Sequence, residues 1–415
     1  MISLDEALRT VLDASPVLAP SQLEVADALG CVLAAPAAAR IDVPPFANSA
    51  MDGYALRAAD VAGAPVTLPV AGRVLAGSSL AGGLPEGHAA RIMTGAPVPA
   101  GADAVCMVER TRAEGPQAQE VTIEVAVSPG ENVREAGSDV RAGETVLDAG
   151  TVLGPTQLAA LISAGCLQVV AHPRPRVGVV STGDELVDAG GFLGPAQIYD
   201  SNRPMLLGLV DAAGCVAVDL GRAADDEEAL IARIEEALDG VDALVLSGGV
   251  SVGDLDVVRM ALERMGADAT RWMQIAIRPA KPFSFTTLES GHGLVSVFGL
   301  PGNPVSSAVS FELLVRPALR QMAGHRRSGR RSGWATLAEP VRRRSDGRVH
   351  FVRVQLDPAG GDGWRARPCA GQGSHQIRSM AVADGLAVVP DGTGAAEGEL
   401  VEVIVTNPDV AGWSW

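Results

Sequence analysis

Apolar runs alternate with helical patterns between about residue 176 and residue 322. Short apolar runs without a polar face occur at residues 177–180, 216–220, 243–246, 272–277 and 293–299. Runs of this kind are typical of strands that are buried on both faces of a parallel sheet. The segments between them have helical patterns, such as the one that Asp225-Asp-Glu-Glu would open with four carboxylates. Repeated strand–helix units predict a doubly wound α/β domain.

The pattern before this stretch is mixed. Ser3-Leu-Asp-Glu is a capping box followed by one apolar face, which predicts an amphipathic helix. Residues 23–38 are rich in Ala and Leu and are predicted to be partly helical. Short β runs at 66–70, 104–108 and 121–127, divided by Gly and Pro, predict a β lobe, and residues 155–165 predict a further helix.

These changes of pattern divide the chain into three regions. Residues 1–171 form a mixed α+β region, with a helical and elongated part at about 1–40 plus 132–171 and the β lobe at about 41–131. The α/β domain spans residues 172–326. A basic segment at 325–331 is expected to be a linker with solvated charges, and the β runs of residues 332–415 predict a small β-barrel domain.

Three polar loops each follow a predicted strand and precede a predicted helix: Thr182-Gly-Asp-Glu, Ser247-Gly-Gly and Gly302-Asn-Pro. The carboxyl ends of parallel strands meet at one edge of a sheet, so these loops predict a binding crevice there. The longest continues from Ser247 to Asp256 and combines glycines with two aspartates, which suits a metal-bridged phosphate. A tight turn with N-cap aspartates explains the same spacing equally well.

Composition and charge limit the possible partners. The chain has 33 Lys+Arg against 49 Asp+Glu, a net charge of −16, which argues against nucleic acid or an anionic membrane surface. No uncharged apolar run reaches the roughly 18 residues of a membrane span, and no signal peptide is evident. The five cysteines are scattered without metal-ligand spacing. We therefore expect a soluble, cytoplasmic protein without membrane or nucleic-acid partners.

Lys281, in Arg278-Pro-Ala-Lys-Pro, is the only lysine in the chain. An overall preference for Arg explains the excess of arginine, but one retained lysine indicates a position where Arg would not serve. Polar loops in the first region, around Asp52, Thr94 and Asp139, could by contrast be ordinary surface turns.

Seven motifs together, in this order along the chain, closely resemble those of the MoeA-type molybdopterin molybdenumtransferases, which are related to the C-terminal part of gephyrin. They are Pro45-Phe-Ala-Asn-Ser-Ala-Met-Asp-Gly-Tyr-Ala, Ile92-Met-Thr-Gly-Ala-Pro-Val-Pro, Ser181-Thr-Gly-Asp-Glu-Leu, Tyr199-Asp-Ser-Asn, Leu246-Ser-Gly-Gly-Val-Ser-Val-Gly-Asp, Arg278-Pro-Ala-Lys-Pro and Gly299-Leu-Pro-Gly-Asn-Pro. The resemblance implies insertion of molybdate into adenylylated molybdopterin, with release of AMP and dependence on Mg²⁺.

The resemblance also implies residue roles. A pyrophosphate link is cleaved by neutralising its charge and positioning its oxygens, which needs no protein nucleophile. The implied metal ligands are Glu185, Asp225, Asp254 and Asp256. The implied catalytic residues are Asp52, Thr94, Asp139, Glu185, Asp225 and Asp256. The implied substrate-binding residues are Ser247, Gly248, Gly249, Ser251, Arg278, Lys281, Pro301, Gly302, Asn303, Arg353 and Ser374.

In the same family the active cleft lies between the subunits of a homodimer, so Asp52, Thr94 and Asp139, with Arg353 and Ser374, would face the α/β domain of the partner chain. One departure is that some bacterial members have lysine where this chain has Gln274. Two alternatives stay open: a molybdopterin adenylyltransferase, which the long flanking regions disfavour, and a non-catalytic pterin-binding scaffold.

Overall fold

The structure, a computed structural model, describes residues 1–115, 117–248, 257–266, 270–360 and 363–407. The chain forms two compact units. One contains Met1–Ser21, Gly30–Val32 and the chain from His172 onward, and the other contains Gln22–Leu29 and Leu33–Ala171. The first 21 residues thus pack with the α/β domain, and the domain boundaries drawn from the sequence stay a prediction.

A six-stranded sheet forms the centre of the α/β domain. In spatial order its strands are Val216–Ala223, Arg176–Thr182, Ala243–Ser247, Gly293–Leu300, Pro282–Ser290 and Arg271–Gln274. The first four are parallel, as predicted, and each of the last two is antiparallel to the strand before it in this order. The sequence pattern missed Pro282–Ser290, where Ser284 and Thr286 interrupt the apolar run although both are buried.

Helices cover both faces of this sheet. They are Leu4–Asp13, Asn202–Ala212, Glu227–Leu238, Val257–Arg264 and three consecutive segments, Pro304–Ser310, the π-helical Phe311–Val315 and Arg316–Met322. The first begins at the predicted capping box, since the Ser3 hydroxyl accepts a hydrogen bond from Glu6 N at 3.1 Å. The helix predicted to open at Asp225-Asp-Glu-Glu is present, but it begins at Glu227 and not at Asp225. Asp226 is the N-cap, and its carboxylate accepts from Ala229 N at 2.8 Å.

Arginines fix the carboxyl end of the helix Asn202–Ala212. Arg316 donates to Ala212 O at 2.9 Å, and Arg174 donates to the carbonyls of Gly214 and Cys215 at 2.9 and 2.7 Å. Cations are favourable there because the last carbonyls of a helix carry partial negative charge. Asn202 is at the other end of this helix, at the carboxyl edge of the sheet. By holding one end of the helix, the arginines help to position Asn202.

The segment 325–331 is not simply a solvated linker, as was expected. Arg330 forms a double hydrogen bond with Glu312, at 2.8 Å for each contact, and the Glu312 side chain is only 2% exposed. Burial lowers the pKa of His325 to about 4, helped by the charges of Arg320 and Arg316, so this imidazole is neutral at pH 7. The segment is therefore anchored to the helix that it follows.

The carboxyl-terminal domain is a closed five-stranded barrel. Its strands, in order around the barrel, are Val349–Pro358, Trp364–Pro368, Ser332–Leu337, Leu400–Val405 and Gly385–Val389, and the last pairs with the first. Shorter elements are Val341–Arg342 paired with Gly394–Ala395, and the helix Ile377–Ala381. The strand Ile277–Arg278 of the α/β domain pairs with the first barrel strand. The barrel therefore lies directly beside Arg278.

The second unit is mainly β. A six-stranded sheet contains, in order, Ala104–Met107, Gly53–Leu56, Ala89–Ile92, Val66–Val74, Glu120–Ile123 and Thr111–Arg112, which includes all three predicted runs. A three-stranded sheet contains Ser21–Glu24, Gln168–His172 and Val32–Leu33; two-stranded pairs join Val133–Arg134 to Asn48–Ser49 and Thr145–Leu147 to Ala37–Ala38. Pro155–Ser163 is helical, within the predicted span.

Residues 23–38 were predicted to be partly helical, and this was largely wrong. They form short strands around a single 3₁₀ turn, Val25–Asp27. Backbone bonds from Val25 N to Leu167 O and from Ala34 N to Val170 O, at 2.8 and 2.9 Å, recruit the segment to a distant strand. Tertiary pairing overrides local helix propensity here. In the described part of the chain, no helix combines the length and apolar character that a membrane crossing needs.

Candidate functional site

Three loops meet at the carboxyl edge of the central sheet. Asn202 Nδ2 donates to Ser247 Oγ at 2.9 Å and to Gly302 O at 2.7 Å. Gly248 N donates to Leu300 O at 3.1 Å. The predicted residues Ser247, Gly248 and Gly302 thus lie close together. Asn202 contacts Ser247 and Gly302; it belongs to the motif Tyr199-Asp-Ser-Asn, but the sequence predicted no role for it.

The two glycines at this edge have different surroundings. Gly248 has φ +102°, and a Cβ there would lie 2.7 Å from Thr182 O and 2.8 Å from its hydroxyl. Among the described residues, a Cβ on Gly302 would meet the Gly248 Cα alone, at 3.9 Å. Gly248 is therefore required by the fold, whereas the described residues leave space beside the Gly302 backbone for a ligand.

We expect Gly248→Ala to destabilise the chain by about 1–3 kcal/mol, because the new methyl group is forced against Thr182 in a strained backbone conformation. Gly302→Ala is the matched control and should leave the urea unfolding midpoint unchanged. It should still weaken substrate binding, because the methyl group fills the space beside Gly248. Equal midpoints for the two variants would contradict this difference.

Carboxylates lie on two neighbouring loops of the same domain. Asp225 accepts a hydrogen bond from Asp184 N, and Asp184 accepts one from Asp225 N, both at 3.2 Å. The Glu185 carboxylate is folded over its own turn, with an oxygen 2.6 Å from where a Cβ on Gly183 would lie. Asp184, Glu185 and Asp225 are all exposed. Asp184 was missed, although it lies in the predicted Thr182-Gly-Asp-Glu loop.

Four predicted residues lie outside the described part of the chain: Gly249, Ser251, Asp254 and Asp256. Within the described residues, no group of three or more His, Cys, Asp or Glu side chains is arranged to hold a metal ion. The roles predicted for Asp254 and Asp256 therefore stay predictions.

A cavity of about 410 Å³ lies where the α/β domain adjoins the barrel. Its lining residues are Ile277, Arg278, Pro279, Ala280, Lys281, Pro282, Asn303, Ser306, Arg348, Gln372 and Ser374. Four of the predicted substrate-binding residues are among them. The predicted Pro301 is buried just before Gly302, and it supports the loop rather than lining this cavity.

Two backbone contacts build this cavity. The strand Ile277–Arg278 pairs with the barrel, and Val305 N, in the first turn of its helix, donates to Ser374 O at 3.1 Å. Lys281 is half-buried, and within the described residues its ammonium group has no hydrogen bond or ion pair. A cation without a counter-ion, beside a helix N-terminus, provides an electrostatic environment suited to an anion.

Arg353 lies behind this cavity and not in its open space. Its side chain is buried, and its guanidinium donates to Ser379 Oγ at 3.2 Å and to the carbonyls of Gly371 and Gly373 at 3.2 and 3.3 Å. Burial lowers the pKa of Arg353 to about 10, so it stays charged at pH 7. The contacts give Arg353 a positioning role for the loop that bears Ser374, and its predicted direct contact with substrate stays a prediction.

The second unit has a polar cluster of its own. The Asp52 carboxylate accepts from Thr94 N at 2.7 Å and from Thr94 Oγ1 at 2.8 Å, and these hydrogen bonds lower the pKa of Asp52. Gly95 N donates to Ser49 O at 2.8 Å, and Asp139 N donates to Val43 O at 2.9 Å. The three loops that bear Asp52, Thr94 and Asp139 are therefore connected, and all three side chains are exposed.

Comparison with known proteins covers nearly the whole chain. A model of the MoeA N-terminal region (domain I and II) matches residues 2–165, a probable molybdopterin binding domain matches residues 178–321, and a MoeA C-terminal region (domain IV) matches residues 335–406. These three matches confirm the predicted fold class.

Proteins named molybdopterin molybdenumtransferase match over most of this chain and most of their own length. A molybdopterin molybdenumtransferase of Haemophilus influenzae is 37% identical over 85% of each chain. Molybdopterin molybdenumtransferase 2 of Mycobacterium tuberculosis is 37% identical over 94% of this chain and 96% of its own. The crystal structure of the molybdopterin biosynthesis MoeA protein from Pyrococcus horikosii superimposes with a TM-score of 0.77 at 33% identity, covering 98% of this chain and 99% of that chain. The chain therefore belongs to the molybdopterin molybdenumtransferase family, transferases of molybdenum cofactor biosynthesis.

Proposed function

We propose that this chain inserts molybdenum from molybdate into adenylylated molybdopterin and releases AMP, and that it acts in the cytoplasm. The observation that carries the proposal is the meeting of a glycine-bearing loop edge and a cationic cavity within one compact unit. The organic substrate has a phosphoanhydride link and reacts with a tetrahedral oxyanion, molybdate. The enzyme therefore needs two neighbouring anion-binding sites.

The loop edge suits the phosphoanhydride link. Gly302 leaves its backbone accessible, and Asn202 holds the Ser247 and Gly302 loops together at 2.9 and 2.7 Å. Preorganised dipoles of this kind stabilise charge that develops as an anhydride bond breaks. No residue is required to act as a covalent nucleophile, because positioning and charge stabilisation supply the rate.

The cavity suits molybdate. Lys281 offers a compact point charge, Arg278 offers planar donors, and Asn303 and Ser374 add neutral hydrogen-bonding groups. A molybdate ion bound there would be close to the loop edge, because Asn303 directly follows Gly302. The cavity would thus hold one substrate next to the reacting part of the other, which lowers the entropic cost of reaction.

Magnesium fits the donors on the neighbouring loops. Asp184, Glu185 and Asp225 present exposed carboxylate oxygens, and Mg²⁺ typically takes one or two protein carboxylates plus substrate phosphate oxygens. Asp254 and Asp256 are further candidates from the sequence. When bound, Mg²⁺ would neutralise the charge of the phosphoanhydride oxygens.

The direct test combines purified chain, adenylylated molybdopterin, molybdate and MgCl₂. The proposal predicts release of AMP and formation of cofactor that reconstitutes an apo-molybdoenzyme, and both should stop on chelation of the metal. Consumption of ATP without molybdate would instead identify an adenylyltransferase. Binding of the pterin without AMP release under any metal condition would identify a scaffold.

We also propose that the active form is a homodimer, in which Asp52, Thr94 and Asp139 of one chain complete the site on the α/β domain of the other. The Asp52 carboxylate is exposed and held in place by Thr94, and the side chains of Thr94 and Asp139 are exposed as well. In the proposed dimer, the side chains of Asp52, Thr94 and Asp139 would face substrate bound to the α/β domain of the partner chain.

Mixing inactive variants tests this arrangement. When Asp52→Ala and Lys281→Gln dimers exchange subunits, half of the dimers are mixed and each has one intact site, so about a quarter of wild-type activity should return. Mixing Asp225→Ala with Lys281→Gln is the control and should restore nothing, because both changes lie in the same domain. Absence of recovery in the first mixture, with exchange confirmed by mass spectrometry, would contradict a shared site.

A further inference from the structure

A buried carboxylate joins two elements of the α/β domain behind the loops of the proposed site. Asp200 is 4% exposed, and its Oδ2 accepts from Ser181 Oγ at 2.5 Å and from Arg203 Nε at 3.1 Å. Its Oδ1 accepts from Arg203 N at 3.1 Å. A buried charge is unfavourable unless it is paired and hydrogen-bonded, so these contacts are specific requirements of the site. Asp200 thereby connects the strand Arg176–Thr182 to the helix Asn202–Ala212.

On the strand side, Asp200 anchors the loop that carries two candidate Mg²⁺ ligands. Ser181 is three residues before Asp184 and four before Glu185. The backbone after these carboxylates is tied to the same residue, because Asp200 N donates to Val187 O at 2.8 Å. Asp200 therefore holds this loop at both of its ends.

On the helix side, Asp200 holds the turn that bears Asn202. Arg203 N, in the first turn of the helix, donates to the Asp200 carboxylate. Asn202 lies between these two contacts in the chain and bonds to Ser247 Oγ and Gly302 O at 2.9 and 2.7 Å. One carboxylate thus connects the loop of the candidate metal ligands to the loop edge that suits the phosphoanhydride.

Arg203 also pairs with a second carboxylate, which provides a comparison. Its Nη1 donates to both oxygens of Asp219 at 2.7 Å each. The Asp219 side chain is 48% exposed, whereas that of Asp200 is 1% exposed. Because water can replace the contacts of an exposed carboxylate, loss of the Asp219 charge should disturb its surroundings far less than loss of the Asp200 charge.

We propose that Asp200 is a positioning residue for the reaction. Through Ser181 it fixes the loop of Asp184 and Glu185 relative to Asn202, so that one divalent cation can contact carboxylate and phosphoanhydride oxygens together. Residues behind metal ligands change metal affinity without touching the metal, because they fix the orientation of the ligands. The inference rests on the proposed function, which assigns Mg²⁺ to these carboxylates.

The variants Asp200→Asn and Ser181→Ala test this role. The Asn amide has one acceptor oxygen where the carboxylate has two, so in either orientation its NH₂ group faces a donor of Arg203. Ser181→Ala removes one donor and leaves Arg203 paired. Electron paramagnetic resonance of Mn²⁺, a paramagnetic substitute for Mg²⁺, measures binding to the full-length chain without turnover. The affinity for Mn²⁺ should fall by about tenfold in Asp200→Asn and by less in Ser181→Ala.

A double variant distinguishes positioning from folding. Ser181→Ala/Asp200→Asn should bind Mn²⁺ no more weakly than Asp200→Asn, because the second change removes a contact that is already lost. Asp219→Asn is the matched control and should keep wild-type affinity. A lower urea midpoint in Asp200→Asn with wild-type Mn²⁺ affinity would show a purely structural role and overturn the proposal. A wild type that binds no Mn²⁺ would also overturn it, and if Asp200→Asn does not fold, wild-type affinity in Ser181→Ala would do so.

Steady-state kinetics separate this inference from the proposed function. In Asp200→Asn, the MgCl₂ concentration that gives half-maximal AMP release should rise by the same factor as the Mn²⁺ dissociation constant, while kcat at saturating MgCl₂ falls less. An active Asp200→Asn enzyme with the MgCl₂ dependence of the wild type would contradict the positioning role alone. A wild type that releases no AMP, with Mn²⁺ affinity still lowered in Asp200→Asn, would contradict the function alone.

Discussion

Replacing Lys281 with Gln is expected to lower the rate of molybdenum insertion by about 10²–10³-fold, the range measured when a single preorganised charge or donor is removed from an active site. Lys281 lines the cavity at the N-terminal end of the helix that starts at Pro304, and in the described chain its ammonium group has no protein partner. Gln keeps most of the length of the side chain but removes the charge. The change should therefore act on anion binding and leave packing intact.

The backbone next to Lys281 supports this expectation. Ala280 has φ +76°, an uncommon conformation for a residue with a Cβ. Strain of this kind persists where the surrounding structure holds a side chain in one place. Lys281→Arg should restore only part of the activity, because a planar guanidinium cannot occupy the position of a compact ammonium group.

AMP release at molybdate concentrations well below KM, with Mg²⁺ saturating, measures the effect as kcat/KM for molybdate, with circular dichroism as the check on folding. Arg271→Gln is the matched control: it removes an exposed positive charge from the edge strand of the same sheet, outside the cavity lining. It should keep wild-type activity. A Lys281→Gln enzyme with more than half of the wild-type rate would show that this cavity does not bind the oxyanion.

Features of the fold that depend on residues close together in the chain could be predicted from the sequence. The strand Ala243–Ser247 is apolar because both of its faces are covered, and the turn that follows has glycine where Thr182 O leaves no room for a Cβ. The capping box at Ser3 marks the start of the first helix for a similar reason. Each of these signals lies within a few residues of the structure that it specifies.

Features that depend on long-range pairing were missed. Residues 23–38 have helix-forming composition, but backbone bonds to a strand some 140 residues later decide their conformation. The role of Arg353 was missed for the same reason, since the carbonyls that it holds lie 18 and 20 residues away. Asn202 appeared in a motif, but only the structure joins it to Gly302, 100 residues later.

The segment 325–331 gives the clearest example. Its basic composition is what a solvated linker would show, and the sequence contains no local counter-ion for Arg330. Its partner, Glu312, is 18 residues earlier in a π-helical segment whose other residues are also buried. A carboxylate on a buried helical face is recognisable as paired only after the helix is placed.

Glu312→Gln is expected to destabilise the domain by about 3–5 kcal/mol, because removing one partner of a buried ion pair leaves the other charge uncompensated. Two arginines would be affected. Arg330 loses its double hydrogen bond, and Arg316, whose guanidinium Nε lies 4.0 Å from Glu312, loses the only carboxylate within salt-bridge distance among the described residues. Burial and the charge of Arg330 already lower the pKa of Arg316 to about 10. The midpoint of urea unfolding, followed by near-ultraviolet circular dichroism, measures the loss.

An exposed pair provides the comparison. Arg264 and Glu227 form an ion pair at 3.2 Å with side chains 55% and 28% exposed, so Glu227→Gln should cost less than about 1 kcal/mol. The double variant Glu312→Leu/Arg330→Met should be less damaging than Glu312→Gln, since it removes Glu312 and Arg330 together and leaves one uncompensated arginine, Arg316, instead of two. If Glu312→Gln costs no more than Glu227→Gln, the pair is not stabilising the helix. If the double variant is the worse of the two, the loss comes from packing and not from an uncompensated charge.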